Sequence, residues 1–217
     1  MKPLECDSPD DVVRAREATG KIREDRMRKL TYFVAATLDG FIAADDGSVD
    51  FFPVGGDHGP AIIAQYPETL PTRVRASLGI ESENITFDTV VMGRKTHDFG
   101  VKTGTSSPYS HLRQFVASTT LLANPDPEVE LIADDPLDKV RELKKERGLG
   151  IWLCGGGELA HHLLPEIDQI FLKHYPVVLG SGRPLFGHGR HVDPVYFHVN
   201  TSRVFADGVA FIKYSRS

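Results

Sequence analysis

Residues 151 to 160 read Ile151-Trp152-Leu153-Cys154-Gly155-Gly156-Gly157-Glu158-Leu159-Ala160, and this stretch decides the fold. An apolar strand runs into three glycines and then into a helix-forming segment. Glycine has no Cβ, so the backbone at these positions can approach a ligand closely. The first N–H groups of the following helix lack partners within the helix and lie at the positive end of its dipole. This layout is typical of a turn that holds an anionic group such as a dinucleotide pyrophosphate.

A tight strand-to-helix turn without a ligand would have the same sequence pattern. The glycine spacing is not the G-x-G-x-x-G of a Rossmann unit, and no G-x-x-x-x-G-K-[ST] phosphate loop occurs in the chain. A second motif is therefore needed. Gly93-Arg94-Lys95-Thr96 supplies it, because this segment also ends an apolar strand and begins a helix. Two helix N-termini at the carboxyl ends of strands can bind one pyrophosphate from two sides, although a capped helix with solvated basic residues is the alternative.

The composition is that of an ordinary globular protein. The chain has 217 residues, of which 41% are hydrophobic and 25% are charged, and its formal net charge is −5. Nucleic acid is disfavoured as the main partner, because binding to phosphates requires a basic surface. No apolar run reaches the length of a membrane span, and the cysteines do not define a disulfide framework. We therefore predict a cytoplasmic protein that binds a small molecule, with no nucleic-acid or membrane partner.

The first residues differ from the rest of the chain, because charges of both signs crowd there and large apolar residues are sparse. We predict a charged N-terminal extension at 1–28 and one domain at 29–217, and the sequence leaves open whether Met27 is the natural start. Within the domain, strands alternate with helices, and the last two strands form a hairpin. This order predicts an α/β fold with a mixed sheet. Besides the strand of the triple-glycine stretch, strands are predicted at 30–36, 87–92, 114–118, 129–132, 169–173, 177–179, 197–205 and 209–214.

The sequence predicts no metal site. The acidic loop Asp45-Asp46-Gly47-Ser48-Val49-Asp50 lacks the remaining ligands of a calcium-binding loop. His161 and His162 are adjacent and cannot share one face of a helix. A hydrolase is also disfavoured, because no G-x-S-x-G nucleophile motif occurs.

Four segments occur in the order and approximate spacing of dihydrofolate-reductase-like proteins. They are Thr37 to Ala43, Val91 to Thr96, Trp152 to Glu158 and Pro176 to Phe186. From about Met27 to Tyr214 the chain resembles most the reductase domain of the bifunctional riboflavin-biosynthesis deaminase-reductase and its stand-alone relatives. The resemblance implies a three-layer α/β fold in which helices flank a mixed central β-sheet with a C-terminal β-hairpin. It also implies NADPH bound across the strand ends, and a homodimer.

The same resemblance implies which residues contact NADPH. They are Leu38, Ile42, Gly93, Arg94, Lys95, Thr96, Ser118, Thr119, Cys154, Gly155, Gly156, Gly157 and Glu158. In this set Arg94 and Thr96 would meet the phosphates, and the glycines would hold the pyrophosphate. Leu38 and Ile42 would border the nicotinamide.

By position alone, Asp39 is the implied catalytic residue, and the implied substrate-binding residues are Phe51, Phe52 and His58. The protein's part would be to hold the nicotinamide against an acceptor and exclude water, since the hydride chemistry belongs to the cofactor.

The chain departs from the family pattern at several positions. Relatives often carry Ser-Arg-Thr where this chain has Ser118-Thr119-Thr120, so one cation near the adenosine 2′-phosphate is missing. The preference for NADPH over NADH is therefore open, with Arg94 as a compensating cation. A folate reductase would need a carboxylate in its first long helix, whereas Asp57 and Glu68 lie in a segment broken by prolines. The zinc signature of the deaminase half is absent.

Two functions follow from these observations. The first is an NADPH-dependent reductase that transfers a hydride to a small heterocyclic or phosphoribosyl-bearing substrate, similar to 5-amino-6-(5-phosphoribosylamino)uracil reductase. The second is a non-catalytic dinucleotide-binding module, a sensor or interaction protein on the same fold. Both predict cofactor binding, and only the first predicts cofactor oxidation.

Overall fold

The computed structural model describes residues 27–53, 55–102, 104–188 and 193–217. The predicted extension at 1–28 lies almost wholly outside the described residues. Arg28, the last residue of the predicted extension, is described, and its side chain is buried. Its guanidinium donates hydrogen bonds to Asp88, to the Thr89 hydroxyl at 2.7 Å and to the Leu149 carbonyl at 2.6 Å. Arg28 therefore packs as part of the domain.

The described residues contain ten strands and five α-helices. The strands are β1 (Leu30–Ala36), β2 (Phe41–Ala43), β3 (Phe87–Gly93), β4 (Arg113–Ala117), β5 (Val129–Ile132), β6 (Gly150–Gly155), β7 (Ile167–His174), β8 (Arg183–Pro184), β9 (Phe197–Val204) and β10 (Ala210–Arg216). The helices are α1 (His58–Gln65), α2 (Thr72–Ser77), α3 (Arg94–Lys102), α4 (Pro136–Lys145) and α5 (Gly157–His162). Short 3₁₀ turns lie at Pro67–Thr69 and Leu164–Glu166. None of the helices in this part of the chain has both the length and the apolar character to cross a bilayer.

Eight strands form one sheet in the order β5-β4-β3-β6-β1-β7-β10-β9, and β2 pairs with β8 in a separate ribbon. The six strands from β5 to β7 run parallel, whereas β10 and β9 are antiparallel to their neighbours. The mixed sheet and the C-terminal hairpin predicted from the sequence are thus confirmed. Strand β1 lies near the centre of the sheet and is buried along nearly its whole length, as its continuous apolar sequence predicts.

Alternating side chains of the central strands pack on opposite faces of the sheet. On one face, Tyr32 and Leu153 join a cluster with residues of α4 and α5. On the other face, Phe33 stacks on Phe171 with ring centroids 4.6 Å apart, and Trp152 and Tyr66 pack beside them. The sheet is therefore covered on both sides, which gives the three-layer arrangement.

The strand predicted at 177–179 is wrong, because this segment is a loop. Its backbone hydrogen bonds go to the β1–β2 turn instead of to a sheet. The Val177 carbonyl accepts from Leu38 N at 2.8 Å, and the Asp39 carboxylate accepts from Leu179 N at 3.1 Å and from Gly180 N at 2.7 Å. Hydrophobicity alone could not reveal these side-chain partners.

Candidate functional site

A cavity of about 1170 Å³ lies along the carboxyl ends of the parallel strands. Residues at the ends of five neighbouring strands line it: Ala35, Gly93, Ala117, Cys154 and Lys173. In open α/β sheets, ligands bind at this edge, where the chain leaves the central strands in opposite directions. The volume slightly exceeds the roughly 300–1,000 Å³ of a typical small-molecule pocket, so the cavity has room for a large ligand.

Most of the residues proposed from the sequence lie at this cavity. It is lined by Ile42, Phe52, Gly93, Arg94, Lys95, Thr96, Ser118, Thr119, Cys154, Gly156, Gly157 and Glu158. The remaining proposed residues, which are outside the lining, are Leu38, Asp39, Phe51, His58 and Gly155.

The two glycine turns lie against each other. A Cβ on Gly93 would be 3.5 Å from Gly156 N, and a Cβ on Gly156 would meet Thr96 Oγ1 at 3.6 Å as its nearest neighbour. Gly155 has a φ of +126°, which favours glycine, and the Gly155–Gly156 peptide is cis. Both turns thus form one surface, with open space in front of Gly156. A side chain at Gly156 would fill that space, so the surface fits the backbone approach that a pyrophosphate requires.

Gly157 is a glycine for a different reason. A Cβ there would lie 2.6 Å from Gly187 N, in the loop after β8. The neighbouring Glu158 carboxylate accepts a hydrogen bond from His188 N at 2.9 Å. This end of the triple-glycine stretch therefore holds the loop after β8 in place as well as lining the cavity.

Arg94 reaches the loop after β4. Its Nη1 donates to Thr120 Oγ1 at 3.3 Å, and its Nε donates to the Asp98 carboxylate at 3.2 Å. The Ser118 hydroxyl in the same loop accepts from the backbone N–H groups of Thr120 and Leu121. Because β3 and β4 are neighbours, α3 brings a guanidinium to the loop after β4. Thr119 and Lys95 are exposed at the rim.

Five aromatic side chains of the lining form a group that we call the aromatic chamber: Phe33, Phe52, Tyr109, Trp152 and Tyr175. Phe52 packs on Tyr175 with centroids 4.7 Å apart, and Tyr109 meets Trp152 edge-on at 4.9 Å. Sequence reasoning identified Phe52 and missed the two tyrosines.

Cys154 and Lys173 also line the cavity, and they contribute the chamber's thiol and amine. Lys173 lies two residues after the buried Phe171 in β7, and Tyr175, just beyond the strand, continues the same two-residue period, so this period was a usable signal for both. Tyr109 lies in a loop, where no periodic pattern in the sequence could have indicated it.

Burial sets the protonation states in the chamber. It raises the pKa of the Cys154 thiol to about 12 and that of Tyr175 to about 12, and it raises the pKa of Tyr109 well above its usual value. Burial lowers the pKa of Lys173 to about 8. At neutral pH the thiol and both phenols are therefore uncharged, and Cys154 does not act as a thiolate nucleophile.

Asp39 is exposed, and its carboxylate stabilises the loop that contains Leu179 and Gly180. Its carboxylate accepts from Thr37 Oγ1 at 2.6 Å and from the backbone N–H groups of Leu179 and Gly180. The hydrogen bonds from Thr37 and Gly180 lower the pKa of Asp39 to about 2, so this carboxyl group is ionised at neutral pH. It positions the β1–β2 turn, from which Ile42 reaches the cavity, whereas Leu38 points to solvent with 54% of its surface exposed.

His58 is buried behind Tyr175. Its Nδ1 lies 2.5 Å from Asp207 Oδ2, and its Nε2 lies 3.2 Å from the Tyr175 hydroxyl. The histidine thus holds the ring that lines the chamber. Phe51 packs on Phe52, with centroids 4.5 Å apart, and in that way supports another lining ring.

Glu68 and Asp57, the two acids considered for binding a folate, both accept hydrogen bonds from the backbone away from the cavity. Glu68 is fully buried, and its Oε1 accepts from Thr86 N at 2.6 Å and Phe87 N at 2.9 Å. Asp57 accepts from Ala206 N at 2.9 Å. Neither acid lines the cavity. Within the described ranges, no three His, Cys, Asp or Glu side chains cluster in a way that could hold a metal ion.

Comparison with solved structures agrees with this architecture. A candidate riboflavin biosynthesis protein of Shewanella sp. PV-4 is similar with a TM-score of 0.66 and 26% identity, covering 87% of this chain and 99% of that protein. The Thermotoga maritima diaminohydroxyphosphoribosylaminopyrimidine deaminase/5-amino-6-(5-phosphoribosylamino)uracil reductase has a TM-score of 0.58 at 18% identity, and the match covers 94% of this chain and 59% of that one. Dihydrofolate reductase of Enterococcus faecalis, complexed with NADP(H) and RAB-propyl, has a TM-score of 0.57 at 15% identity, covering 88% and 98%. These likenesses confirm the dihydrofolate-reductase-like fold.

Sequence relatives place the chain in a family. The uncharacterized protein YwjB of Bacillus subtilis (strain 168) is 32% identical over 164 residues, which is 73% of this chain and 83% of YwjB. The uncharacterized protein YyaP of the same organism is 28% identical over 201 residues, which is 87% of this chain and 95% of YyaP. Residues 28–211 match the family described as the RibD C-terminal domain. The resemblance inferred from the four segments is thereby confirmed, and the chain belongs to the RibD C-terminal domain family.

Proposed function

We propose that this protein is an NADPH-dependent reductase of a small heterocyclic or phosphoribosyl-bearing compound, similar to 5-amino-6-(5-phosphoribosylamino)uracil reductase. The observation that carries the proposal is the joint surface of Gly93 and Gly156 at the mouth of a cavity that continues into the aromatic chamber. A dinucleotide on that surface would extend toward the chamber, where an acceptor has room. The reductase named for the Thermotoga maritima protein and the NADP(H) of the Enterococcus faecalis enzyme support the cofactor class.

The chain's residues fit this cofactor. The glycine turns admit a pyrophosphate, and Thr96 offers a hydroxyl beside it. Arg94 and Ser118 lie together where a 2′-phosphate would be held. When bound, NADPH supplies a hydride from C4 of its nicotinamide. The protein's own part is to orient the two reactants, which Ile42 and the rings of the chamber do while they exclude water.

Cofactor titration tests the proposal, because Trp152 is the chain's one tryptophan and lines the cavity. We expect NADPH to quench Trp152 fluorescence with a micromolar dissociation constant. Gly156→Val, which fills the space in front of the turn, should abolish the quenching. Gly55→Val is the matched control, because a Cβ there meets nothing within 4 Å and the residue is outside the cavity lining.

Wild-type protein that binds neither NADPH nor NADH would overturn the proposal. Binding without oxidation of NADPH by a panel of planar heterocyclic acceptors would instead favour the non-catalytic dinucleotide-binding module.

We also propose that the protein is a cytoplasmic homodimer. Strand β9 is an edge of the main sheet, and its residues from His198 to Val204 are all exposed. Val199 and Val204 expose 56% and 73% of their surface. An edge strand with apolar side chains is suited to pairing with another chain, and a second copy would cover it.

A further inference from the structure

Lys173 is the amine of the aromatic chamber. It lies near the carboxyl end of β7, half-buried, with its Nζ 4.9 Å from the centre of the Phe33 ring. Its sheet neighbours are uncharged, because Ala35 of β1 and Phe211 of β10 pair with it. The ammonium group thus lies over a ring of the aromatic chamber, at the lining of the cavity.

The contrast with Lys144 shows that this setting is unusual. Lys144 is more deeply buried than Lys173, but its Nζ lies 2.8 Å from the Asp168 carboxylate and 3.3 Å from that of Glu166. Among the described residues, no carboxylate forms an ion pair with Lys173, and the ionisable neighbour that affects its pKa is the Cys154 thiol. A desolvated ammonium without a carboxylate costs stability, which a cation–π contact offsets only in part. An anionic ligand would supply the missing partner.

Among the described groups near Lys173, none offers it an unpaired negative charge near neutral pH. These groups are Cys154 on β6, Tyr109 before β4, and Tyr175 just after β7, with His58 and Asp207 behind it. The thiol and the phenols are uncharged, for the reasons given above. Asp207 is already bound to His58. The next ionisable group along β10 is Lys213, whose Nζ lies over the Tyr66 and Phe171 rings and is itself a cation.

The rings around Lys173 favour a flat ligand. Faces and edges of Phe33, Phe52, Tyr109, Trp152 and Tyr175 form the walls. Aromatic side chains pack with offset or edge-on planar groups, and such pairs add to the energy of apolar burial. A phosphate group would meet a single cation among these rings, whereas the site at Arg94 also offers the Ser118 and Thr120 hydroxyls and the glycine turns.

We propose that the aromatic chamber binds a planar heteroaromatic acceptor that carries an anionic oxygen, and that Lys173 pairs with this oxygen and so determines substrate specificity. The acceptor class is therefore a flat ring bearing a carboxylate, phenolate or deprotonated lactam. This inference deepens the proposed function and rests on it for the role of the ligand as acceptor.

Benzoate and benzamide are the probes, because they have the same ring and differ in charge. Their binding is measured by quenching of Trp152 fluorescence without cofactor. Below the pKa of Lys173, which is about 8, wild-type protein should bind benzoate about 10- to 100-fold more tightly than benzamide, the range expected for a charge-assisted hydrogen bond. The preference should fall as the pH rises through that pKa, since the amine then loses its charge.

Lys173→Met should bind both probes equally at every pH, and Lys173→Arg should keep the preference for benzoate without the loss near pH 8. Lys213→Met is the matched control on the same face of the sheet, and it should behave as wild type. Inorganic phosphate at equal concentration should not displace benzoate, because it has no ring. Equal affinities in the wild type, a preference that survives Lys173→Met, or displacement by phosphate would each overturn the inference.

The test is independent of the cofactor proposal. Lys173→Met should bind NADPH with the wild-type dissociation constant. If NADPH fails to bind but benzoate depends on Lys173, the proposed function fails and the anion site stands. If NADPH binds and the affinity for benzoate is the same with and without Lys173, this inference fails while the proposed function stands.

Discussion

Arg94 and Lys173 are cations at opposite ends of one cavity, and their surroundings give them different roles. Arg94 is partly exposed, already shares its charge with Asp98 and touches Thr120. Its guanidinium is therefore available to a phosphate at little desolvation cost. Lys173 is enclosed by rings, and its pKa falls because burial disfavours the charged form. A residue's environment, and not its type, separates the two sites.

Arg94→Gln should reveal a preference for the 2′-phosphate. Loss of a hydrogen bond to a charged group costs about 1.5–3 kcal/mol, so the dissociation constant for NADPH should rise about 10- to 100-fold. The constant for NADH should change little, because NADH lacks that phosphate. Fluorescence titration of Trp152 with both cofactors measures the ratio. Arg203→Gln, on the exposed strand β9, is the control, and an equal loss for NADPH and NADH would contradict the assignment.

Lys173→Met should stabilise the protein at neutral pH. The folded pKa of about 8 lies below the ordinary value of 10.5, so between these values the unfolded chain binds more protons. Wild-type stability should then rise with pH across this window. Allowing for partial solvent contact, we expect a gain of about 1–2 kcal/mol for Lys173→Met below pH 8. The gain should disappear above about 10.5.

Urea unfolding at several pH values measures this difference. Lys144→Met is the informative control, because its ammonium group is paired with Glu166 and Asp168. Removal of a paired buried charge should destabilise the protein, by about 1–3 kcal/mol. A loss of stability in Lys173→Met would mean that this lysine is a structural residue.

At the scale of elements, the carboxyl ends, the amino ends and the outer edge of the sheet have different roles. The carboxyl ends of β3 and β6 carry the glycine turns, and the ends of β1 and β7 line the chamber. The amino ends carry structural contacts such as the Arg28 ion pair with Asp88. The outer edge strand β9 takes no part in the cavity, and its exposed residues are free for assembly.

We expect the wild-type protein to scatter light as a dimer, at twice the chain mass of 24.0 kDa. The double substitution of Val199 and Val204 by lysine should give a folded monomer, because like charges would meet across the paired edge strands. Leu122→Lys is the control, since that side chain is fully exposed away from β9. A monomeric wild type at micromolar concentration would exclude the dimer.

At the scale of the whole molecule, the cavity joins distant parts of the chain. Its walls come from the β1–β2 region, α3, the loop after β4, the β6–α5 turn and β7. A ligand that spans these elements binds the folded state and not the unfolded chain. Cofactor binding should therefore stabilise the whole domain.

At NADPH concentrations about 100 times the dissociation constant, the free energy of unfolding should rise by about 2.7 kcal/mol. Thermal unfolding with and without NADPH measures this rise. Gly156→Val should unfold at the same temperature in both conditions, whereas Gly55→Val should respond like the wild type. A wild-type protein whose unfolding is unaffected by NADPH would count against the cofactor site.

The sequence by itself determined the order of the main-sheet strands along the chain, the mixed sheet and the two glycine turns. These features are local, because burial periodicity and backbone conformation are written in neighbouring residues, as the φ of +126° at Gly155 illustrates. Only the tertiary structure decided which side chains meet. The pairing of β3 with β4 brings Arg94 to Thr120, and the alternation on β7 places Lys173 beside Phe33. Such contacts depend on non-local packing of the sheet, which no stretch of sequence encodes alone.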